Sequence, residues 1–325
     1  MPPDVRIGVS GWTYKPWRGA FYPKGLAAKR ELAFLGTQFD TVEINGTFYC
    51  MQVPDSFARW HDEVPENFVF AVKGPRYLTH MLKLRNAQAP LGNFFASGPL
   101  RLGAKLGPIL WQFPPNFRFN RAKLATFFKL LPRDTSEAAA CGRRHDHRLK
   151  ARAWLRSAVD RPIRHAMEVR HESLRDPAFI DLLREHDVAL VCADTVDWAL
   201  LMDLTSDFVY CRLHGSEKLY HSPYSAPEIE RWARRVEAWR DGKPMYDGTF
   251  AGRILPANRP RDVFVYFDNT DKMHAPYDAQ ALRERLEENS HGRRRDSRQA
   301  RAGRREGGRL HALSALSQRH ADRVR

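Results

Sequence analysis

Eight short runs of apolar, β-branched and aromatic residues recur along the chain. They are RIGVSGW (6–12), TVEINGTFY (41–49), FVFAVKGP (68–75), GPILWQFPP (107–115), HAMEVRH (165–171), VALVCADT (188–195), FVYCRLHG (208–215) and DVFVYFDN (262–269). Most end on Gly, Pro, Asn, Asp or a charged residue, as strands do before a loop. Between most of them lie stretches with apolar residues at helical spacing: 27–38, PDSFARWHDEV from Pro54, 121–131, 176–186, 225–240 and 277–289. Ser225 and Glu228 stand at the spacing of a capping box at the start of the fifth of these. Strands that alternate with helices pair in parallel. Eight such units in under 290 residues predict an α/β fold, a single (β/α)8 TIM-type barrel. Two places break the pattern. Residues 196–207 are too short for a full helix, so the barrel is expected to be irregular around helix 6. Residues 132–163 are long and charged and are expected to be an insertion.

The main α/β rival, a doubly wound open sheet, lacks its usual signature, because no strand is followed by GxGxxG or GxxxxGK[ST]. GxSxG is absent too, and Ser10 in GVSGW lacks its flanking pattern, which argues against acyl transfer through serine. No run of 18 apolar residues predicts a membrane span, and MPPDVRIGVSGW has no secretion-signal pattern. Cys50, Cys141, Cys192 and Cys211 form no CxxC pair or zinc-like spacing, and the last two sit in apolar runs as small core residues. This usage fits a reducing, cytoplasmic location.

The formal charge of +15 is unevenly spread. Residues 290–325 hold eleven arginines against three acids, a net of +8. This tail is rich in Arg, Gly and Ala, has almost no large apolar residues, and is expected to be disordered beyond a barrel domain of residues 5–289. It is read as a solvated extension; the competing reading is a basic arm for nucleic acid or a membrane surface.

Alternation along the strands points to a site. In TVEINGTFY, Val42 and Ile44 oppose Glu43 and Asn45. In FAVKG, Phe70 and Val72 oppose Ala71 and Lys73. Met167 and Val169 oppose Glu168 and Arg170, and Val209, Cys211 and Leu213 oppose Tyr210, Arg212 and His214. In a closed barrel one parity faces the helices and the other the bore. The polar parity falls late in each strand, at the carboxyl end where barrel active sites form. The expected convergent groups are Glu43, Asn45, Lys73, Gln112, Glu168, Arg170, Asp194, Arg212, His214, Asp268 and Asn269. Glu43 and Glu168 are the acid/base candidates, since carboxyls in different surroundings have their pKa values pushed apart. His214 is the candidate for proton transfer near neutral pH. Lys73, Arg76, Arg170 and Arg212 suggest an anionic ligand. Aromatic residues of the first two loops, among them Trp12, Tyr14 and Tyr49, either stack on a ligand ring or pack the loops on the core. No cofactor is expected. A divalent metal on Glu43, Glu168, Asp194, His214 and Asp268 is the lesser alternative, with no dedicated short spacing to support it.

The chain also resembles a known family. SGWTYKPWRGAFYPKGL (10–26), FDTVEINGTFY (39–49), FVFAVKGPRYLTH (68–80), LGAKLGPILWQFPP (102–115), HAMEVRHESL (165–174), FVYCRLHG (208–215) and VFVYFDNTDKMHAPYDAQAL (263–282) are similar to the YecE-like family, domain of unknown function 72. The resemblance implies a TIM-type barrel and no established reaction. It implies family-typical positions at Trp12, Tyr14, Glu43, Asn45, Phe48, Tyr49, Lys73, His80, Gln112, Glu168, Arg170, His171, Arg212, His214 and Asn269. Leu174, Asp268 and the KMH of 272–274 depart from the family pattern.

The expectation is an enzyme, of hydrolase, isomerase or lyase type, that uses acid/base chemistry on a small phosphate- or carboxylate-bearing molecule at the barrel mouth. The alternatives are a nucleic-acid-binding or processing protein, acting through a basic mouth or the tail, and a non-catalytic metabolite-binding module. No membrane partner is expected, and the sequence carries no signal of oligomeric state.

Overall fold

A computed structural model describes residues 3–150, 152–196, 198–215, 223–254, 259–269 and 273–292. The expected disordered tail lies outside the described residues from position 293 onward. Eight parallel strands close into a barrel in chain order: β1 (Val5–Ser10), β2 (Thr41–Ile44), β3 (Val69–Lys73), β4 (Leu106–Gln112), β5 (His165–Glu168), β6 (Val188–Asp194), β7 (Phe208–Leu213) and β8 (Asp262–Phe267). Pairing of β1 with β8, from Val5 opposite Val263 to Val9 opposite Phe267, closes the ring. The (β/α)8 architecture read from the alternation is the one observed.

The helices are α1 (Glu31–Gln38), α2 (Gly46–Tyr49), α3 (Pro54–Glu63), α4 (Gln88–Ala96), α5 (Arg121–Leu130), α6 (Thr135–Gly142), α7 (Pro177–Glu185) and α8 (Ala226–Arg240), and a further helix covers 275–292. Their caps follow from the sequence. Asn120, Asp134 and Asp176 each accept a backbone N–H in the first turn of the helix that follows. The expected box forms at α8, where Glu228 accepts the backbone N–H of Ser225 at 2.7 Å.

One feature differs from expectation, and two fill in the places where the pattern was expected to break. The run 41–49 is not one strand: β2 ends at Ile44 and 46–49 wind into α2. The charged insertion is partly ordered, because α6 packs against α4. No helix occupies 196–207 among the described residues, and the connection after α8 covers that flank instead. Leu201 bridges Thr249, and Asp203 accepts the backbone N–H groups of Ala251 and Gly252.

Alternation sorts the strands as expected. Val42, Ile44, Phe70, Val72, Met167, Val169, Val209, Cys211 and Leu213 join the core between sheet and helices. The other parity fills the bore. Ala71, Leu110, Ala166, Ala189, Val191, Ala193, Phe208, Tyr210, Phe264 and Tyr266 form an apolar plug in it. Polar residues are left for the carboxyl-end rim.

Candidate functional site

The tyrosines of the plug form the floor of the site. Tyr210 and Tyr266 pack with ring centroids 5.1 Å apart. Tyr210 donates to Oε2 of Glu43 at 2.7 Å, and Tyr266 shares a hydrogen bond with Thr41. Above them the side chain of Arg212, one bore position beyond Tyr210 on β7, is fully buried, as are Glu43 and Glu168.

Arg212 uses its whole fork. Nε donates to Oε2 of Glu43 at 3.0 Å. One terminal nitrogen reaches Oε2 of Glu168 at 2.7 Å and Nε2 of His214 at 3.2 Å. The other reaches Oε1 of Glu43 at 3.0 Å, Oδ2 of Asp268 at 2.5 Å and, more weakly, Ser10 Oγ at 3.3 Å. A guanidinium has five N–H donors, and these contacts occupy them. Arg212 therefore organises the carboxylates and has no donor left for a ligand.

The carboxylates are correspondingly committed. Glu43 also accepts Ser10 Oγ. Oε1 of Glu168 accepts from Nε2 of Gln112 at 3.0 Å and from Nε and a terminal nitrogen of Arg170 at 3.0 and 2.6 Å. Burial pushes the Glu168 carboxyl up, but the guanidinium groups of Arg212 and Arg170 outweigh it and hold it well below the usual range. It is an ionised acceptor and a weak base. Asn45 donates to Ser10 Oγ at 2.8 Å, and its Oδ1 is buried without a hydrogen bond from any described residue.

His214 is at the rim, but not as a near-neutral proton carrier. Burial, then the Arg212 charge, lower it to about 4, against the opposing pull of Asp268 and Glu168. Its Nε2 accepts from Arg212, which puts the ring proton of the neutral form on Nδ1, 3.4 Å from Oδ2 of Asp268.

The β3–β5 side of the mouth is different in character. Lys73 follows Ala71 in the bore, 5 % exposed, with Nζ 4.3 Å from the centroid of the Phe48 ring. Phe48 packs edge-on against His80 at 5.0 Å. Burial, then Lys73, Arg170 and Arg76, lower His80 to about 4, with Glu168 alone among the leading influences opposing. Three cations thus converge on one neutral imidazole. Beside them a cleft of about 320 Å³, lined in part by Phe48, Tyr49, Met51, Arg76 and Met81, opens to the surface.

Several expected members do not join the ring. Asp194 shares its strand side with Leu190 and Cys192, which face the helices, so the strand's alternation turns it outward. There its Oδ2 accepts Tyr224 Oη at 3.0 Å and Trp232 Nε1 at 3.3 Å. Asn269 has the outward parity of Phe267 and donates to Asp278 Oδ2 at 2.7 Å. Asp278 also accepts the backbone N–H of Tyr224, and Tyr224 Oη accepts that of Gly215, so this cluster links Gly215, just after β7, to Tyr224, just before α8. His171 caps the turn 172–174 by accepting the Ser173 N–H. Trp12 packs against Trp60 of α3, in a surface cleft with α1. Of the first-loop aromatics, Trp17, Phe21 and Tyr22 are core. Tyr14 stays near the rim, donating to the Ser10 carbonyl at 2.7 Å. Gly11, at φ 78°, makes that return, and a Cβ there would lie 2.3 Å from Tyr14 Oη. Tyr49 is 69 % exposed.

Sequence reasoning missed Ser10 and Tyr210 as members of the site. Tyr210 had a legible signal, since it shares the parity of Arg212. Ser10 is the last residue of β1, whose side chains at Ile7 and Val9 face the helices. Among the described residues no group of three or more His, Cys, Asp or Glu side chains is arranged to hold a metal ion; the carboxylates turn onto Arg212 instead. No helix among the described residues is long and apolar enough to cross a membrane.

The buried histidines make a pH prediction. Burial lowers His165, inside β5, to about 3, and His214 lies at about 4. Both begin to protonate near pH 6.5 in the unfolded chain and stay neutral in the fold, so the unfolded state binds more protons and stability is lost as pH falls. The depressed Glu168 has the other sign pattern. Its contribution is intact above its unfolded value and is lost only as pH falls through its folded one. Between pH 6.5 and 5 these two histidines therefore contribute a slope approaching about 2.7 kcal/mol per pH unit, to which His80 adds and from which Asp278, pushed up to about 6 by burial, subtracts. Urea midpoints measured at pH 7.5, 6.5, 5.7 and 5.0 check this. A flat profile refutes it, and His214→Asn should remove about half the slope.

The comparisons with known proteins agree with this architecture. The model of the family described as Protein of unknown function DUF72 matches residues 6–302. Among curated proteins, the UPF0759 protein YunF of Bacillus subtilis is 29% identical over 126 residues, 37% of this chain and 44% of that protein. The UPF0759 protein YecE of Escherichia coli K12 is 26% identical over 123 residues, 34% of this chain and 43% of that protein. The chain thus spans less than half the length of these curated relatives. Among solved structures, a DUF72 family protein of Thermotoga maritima has a TM-score of 0.65 at 23% identity, covering 87% of this chain and 99% of its own. One from Enterococcus faecalis has a TM-score of 0.62 at 17% identity, covering 87% and 95%. At these identities the likeness is one of fold.

Proposed function

The chain belongs to the DUF72 family of proteins of unknown function, and from that premise we propose that it is an enzyme using acid/base chemistry on a small anionic molecule at the carboxyl-end mouth. The observation that carries this reading is the set of cations on the β3–β5 side of the mouth, with Lys73 against Phe48, Arg170 on Glu168 and Arg76 in the adjoining cleft. Arg212 is spent on carboxylates, so binding of a phosphate or carboxylate falls to these three cations. Arg170 keeps 23 % of its side chain exposed beside Glu168 and can turn an edge to the ligand. Lys73 is the proton carrier. Burial, then the Arg212 charge, bring its ammonium down to about 8 against the pull of Glu43, Glu168 and Asp268, into the range where an amine exchanges protons near neutral pH. Glu43, Glu168 and His214, the groups that sequence puts first for proton transfer, act here by holding Arg212 and shaping the field around Lys73.

The test is a thermal-shift panel of inorganic phosphate, small phosphate esters and small carboxylates at low salt. A ligand at ten times its Kd stabilises the fold by about 1.4 kcal/mol. The expected result is stabilisation by at least one anion class, weakened by salt and lost in Arg170→Ala. No response to any anion, or a response untouched by Arg170→Ala, overturns the reading.

A further inference from the structure

Among the described residues two lysines are almost wholly buried, and the fold treats them in opposite ways. Lys105 is 2 % exposed, and its Nζ donates to the carbonyls of His61 at 2.7 Å and Val64 at 2.9 Å, with Glu66 3.9 Å away. That is how a structural lysine is satisfied. Lys73 is 5 % exposed, and its Nζ makes no hydrogen bond and no ion pair with any described residue. The nearby acids are bound elsewhere: Glu43 to Arg212, Tyr210 and Ser10, Glu168 to Arg212, Arg170 and Gln112, and Asp268 to Arg212. With no hydrogen-bond acceptor among the described residues, this ammonium is brought down by burial and then the Arg212 charge to about 8, so a share of it is free amine near neutral pH. A desolvated amine beside another cation is the arrangement that makes lysine a nucleophile toward carbonyl carbon.

We propose that Lys73 is an amine nucleophile that captures a carbonyl group of the bound anion as an iminium, so that the substrate class is small oxo-acids or oxo-phosphates. This rests on the anion-binding reading above. The groups that face Lys73 set its reactivity: Arg212 from β7, Glu43 from β2, Glu168 from β5, Asp268 after β8, Phe48 from α2, and His80 after β3. Arg170 and Arg76 hold the anionic end of the substrate, which places the carbonyl carbon over Nζ. Lys73 sheds one proton, and the freed lone pair forms the C–N bond as the C–O π electrons move to oxygen. The carbinolamine then expels that oxygen with its bonding pair. In total two N–H protons of the ammonium leave with the oxygen as water, and the third stays on the iminium nitrogen. The positive nitrogen then withdraws electrons from the adjacent carbon, which serves isomerase or lyase chemistry.

The test is reductive trapping of the full chain. The protein is incubated at pH 7 with borohydride and one of four probes, the oxo-acids glyoxylate or pyruvate, or the oxo-phosphates glycolaldehyde phosphate or dihydroxyacetone phosphate. Adducts are then mapped by peptide mass spectrometry. Near pH 7 an amine brought down to about 8 has roughly two- to three-hundredfold more free base than an ordinary lysine. The expected result is an adduct at Lys73 that forms well before any on exposed Lys15, Lys24 or Lys29, with the favoured probe pair identifying the anion. Lys73→Arg abolishes it while the other lysines react as before. Should that variant fail to fold, the site preference in the unaltered protein still decides. Adducts spread over surface lysines without preference for Lys73 overturn the proposal. Anion binding in the thermal-shift panel without an adduct at Lys73 overturns the iminium but leaves the anion reading intact. Neither binding nor adduct overturns both.

Discussion

Arg212→Leu is expected to destabilise the protein by about 3–5 kcal/mol, the range for removing one partner of a buried ionic cluster. The loss comes less from the missing contacts than from what stays behind. Glu43 and Glu168 are fully buried, and without the guanidinium two carboxylates and the partly buried Asp268 face one another across the bore. Arg212→Lys should recover only part of the loss, because an ammonium has three donors where the fork uses five. Urea denaturation at pH 7.5 checks the series. A cost below about 1 kcal/mol for Arg212→Leu would mean that water enters the rim and solvates the acids, contrary to their full burial. Adding Glu168→Gln to Arg212→Leu should return part of the stability, since it removes one of the stranded charges.

Trp111→Ala is expected to cost a further independent 3–5 kcal/mol or so, as large-to-small changes of buried aromatics do. Trp111 is fully buried on the helix-facing side of β4, with ring contacts to Phe94 at 5.6 Å and Phe127 at 5.4 Å. It also closes over Gly74, where a Cβ would sit 2.4 Å from the indole. Its Nε1 donates to Nδ1 of His165 at 3.1 Å, and His165 Nε2 in turn donates to the Pro132 carbonyl at 2.7 Å. Trp111→Phe separates the two contributions. It keeps most of the apolar volume and strands the His165 acceptor, so it should cost about 1–3 kcal/mol. Equal losses for both substitutions would show that volume is not what the site feels. Because Gln112 follows directly and donates to Glu168, Trp111→Ala should also weaken the anion response in the thermal-shift panel.

The barrel was legible because strand alternation and unit count act locally and along the whole chain. The same period of two puts Glu43, Lys73, Gln112, Glu168 and Arg212 on the bore-facing parity, the side on which the structure has them. For Asp194 and Asn269 a place at the strand end suggests the ring, and the period of two does not. Their parity with Cys192 and Phe267 already marked them as outward. The pairing within the ring was not legible, since Arg212 and Glu43 are 169 positions apart and no local pattern says which acid a guanidinium will meet. That pairing decides roles. It takes Arg212 from ligand binding into the scaffold, and it takes His214 from proton transfer at neutral pH to a neutral imidazole. Lys73, one of the four cations that the sequence offers, differs from the other three because its lack of an ion pair depends on where every acid nearby is bound. α2 was hidden in an apparent strand because Gly46–Tyr49 continues the apolar run of β2.

Arg212 binds partners after or within β1, β2, β5 and β8 while itself belonging to β7. Its cluster can be completed only after the two ends of the chain have met, because the barrel is closed by β1 against β8. Contacts of such sequence separation form late and make folding slow. A nascent or truncated chain lacking β8 would present Arg212 with one acid missing and the floor tyrosine Tyr266 absent. An intact mouth is therefore a marker of a finished barrel, and fragments that retain the early strands should have secondary structure before they have a site.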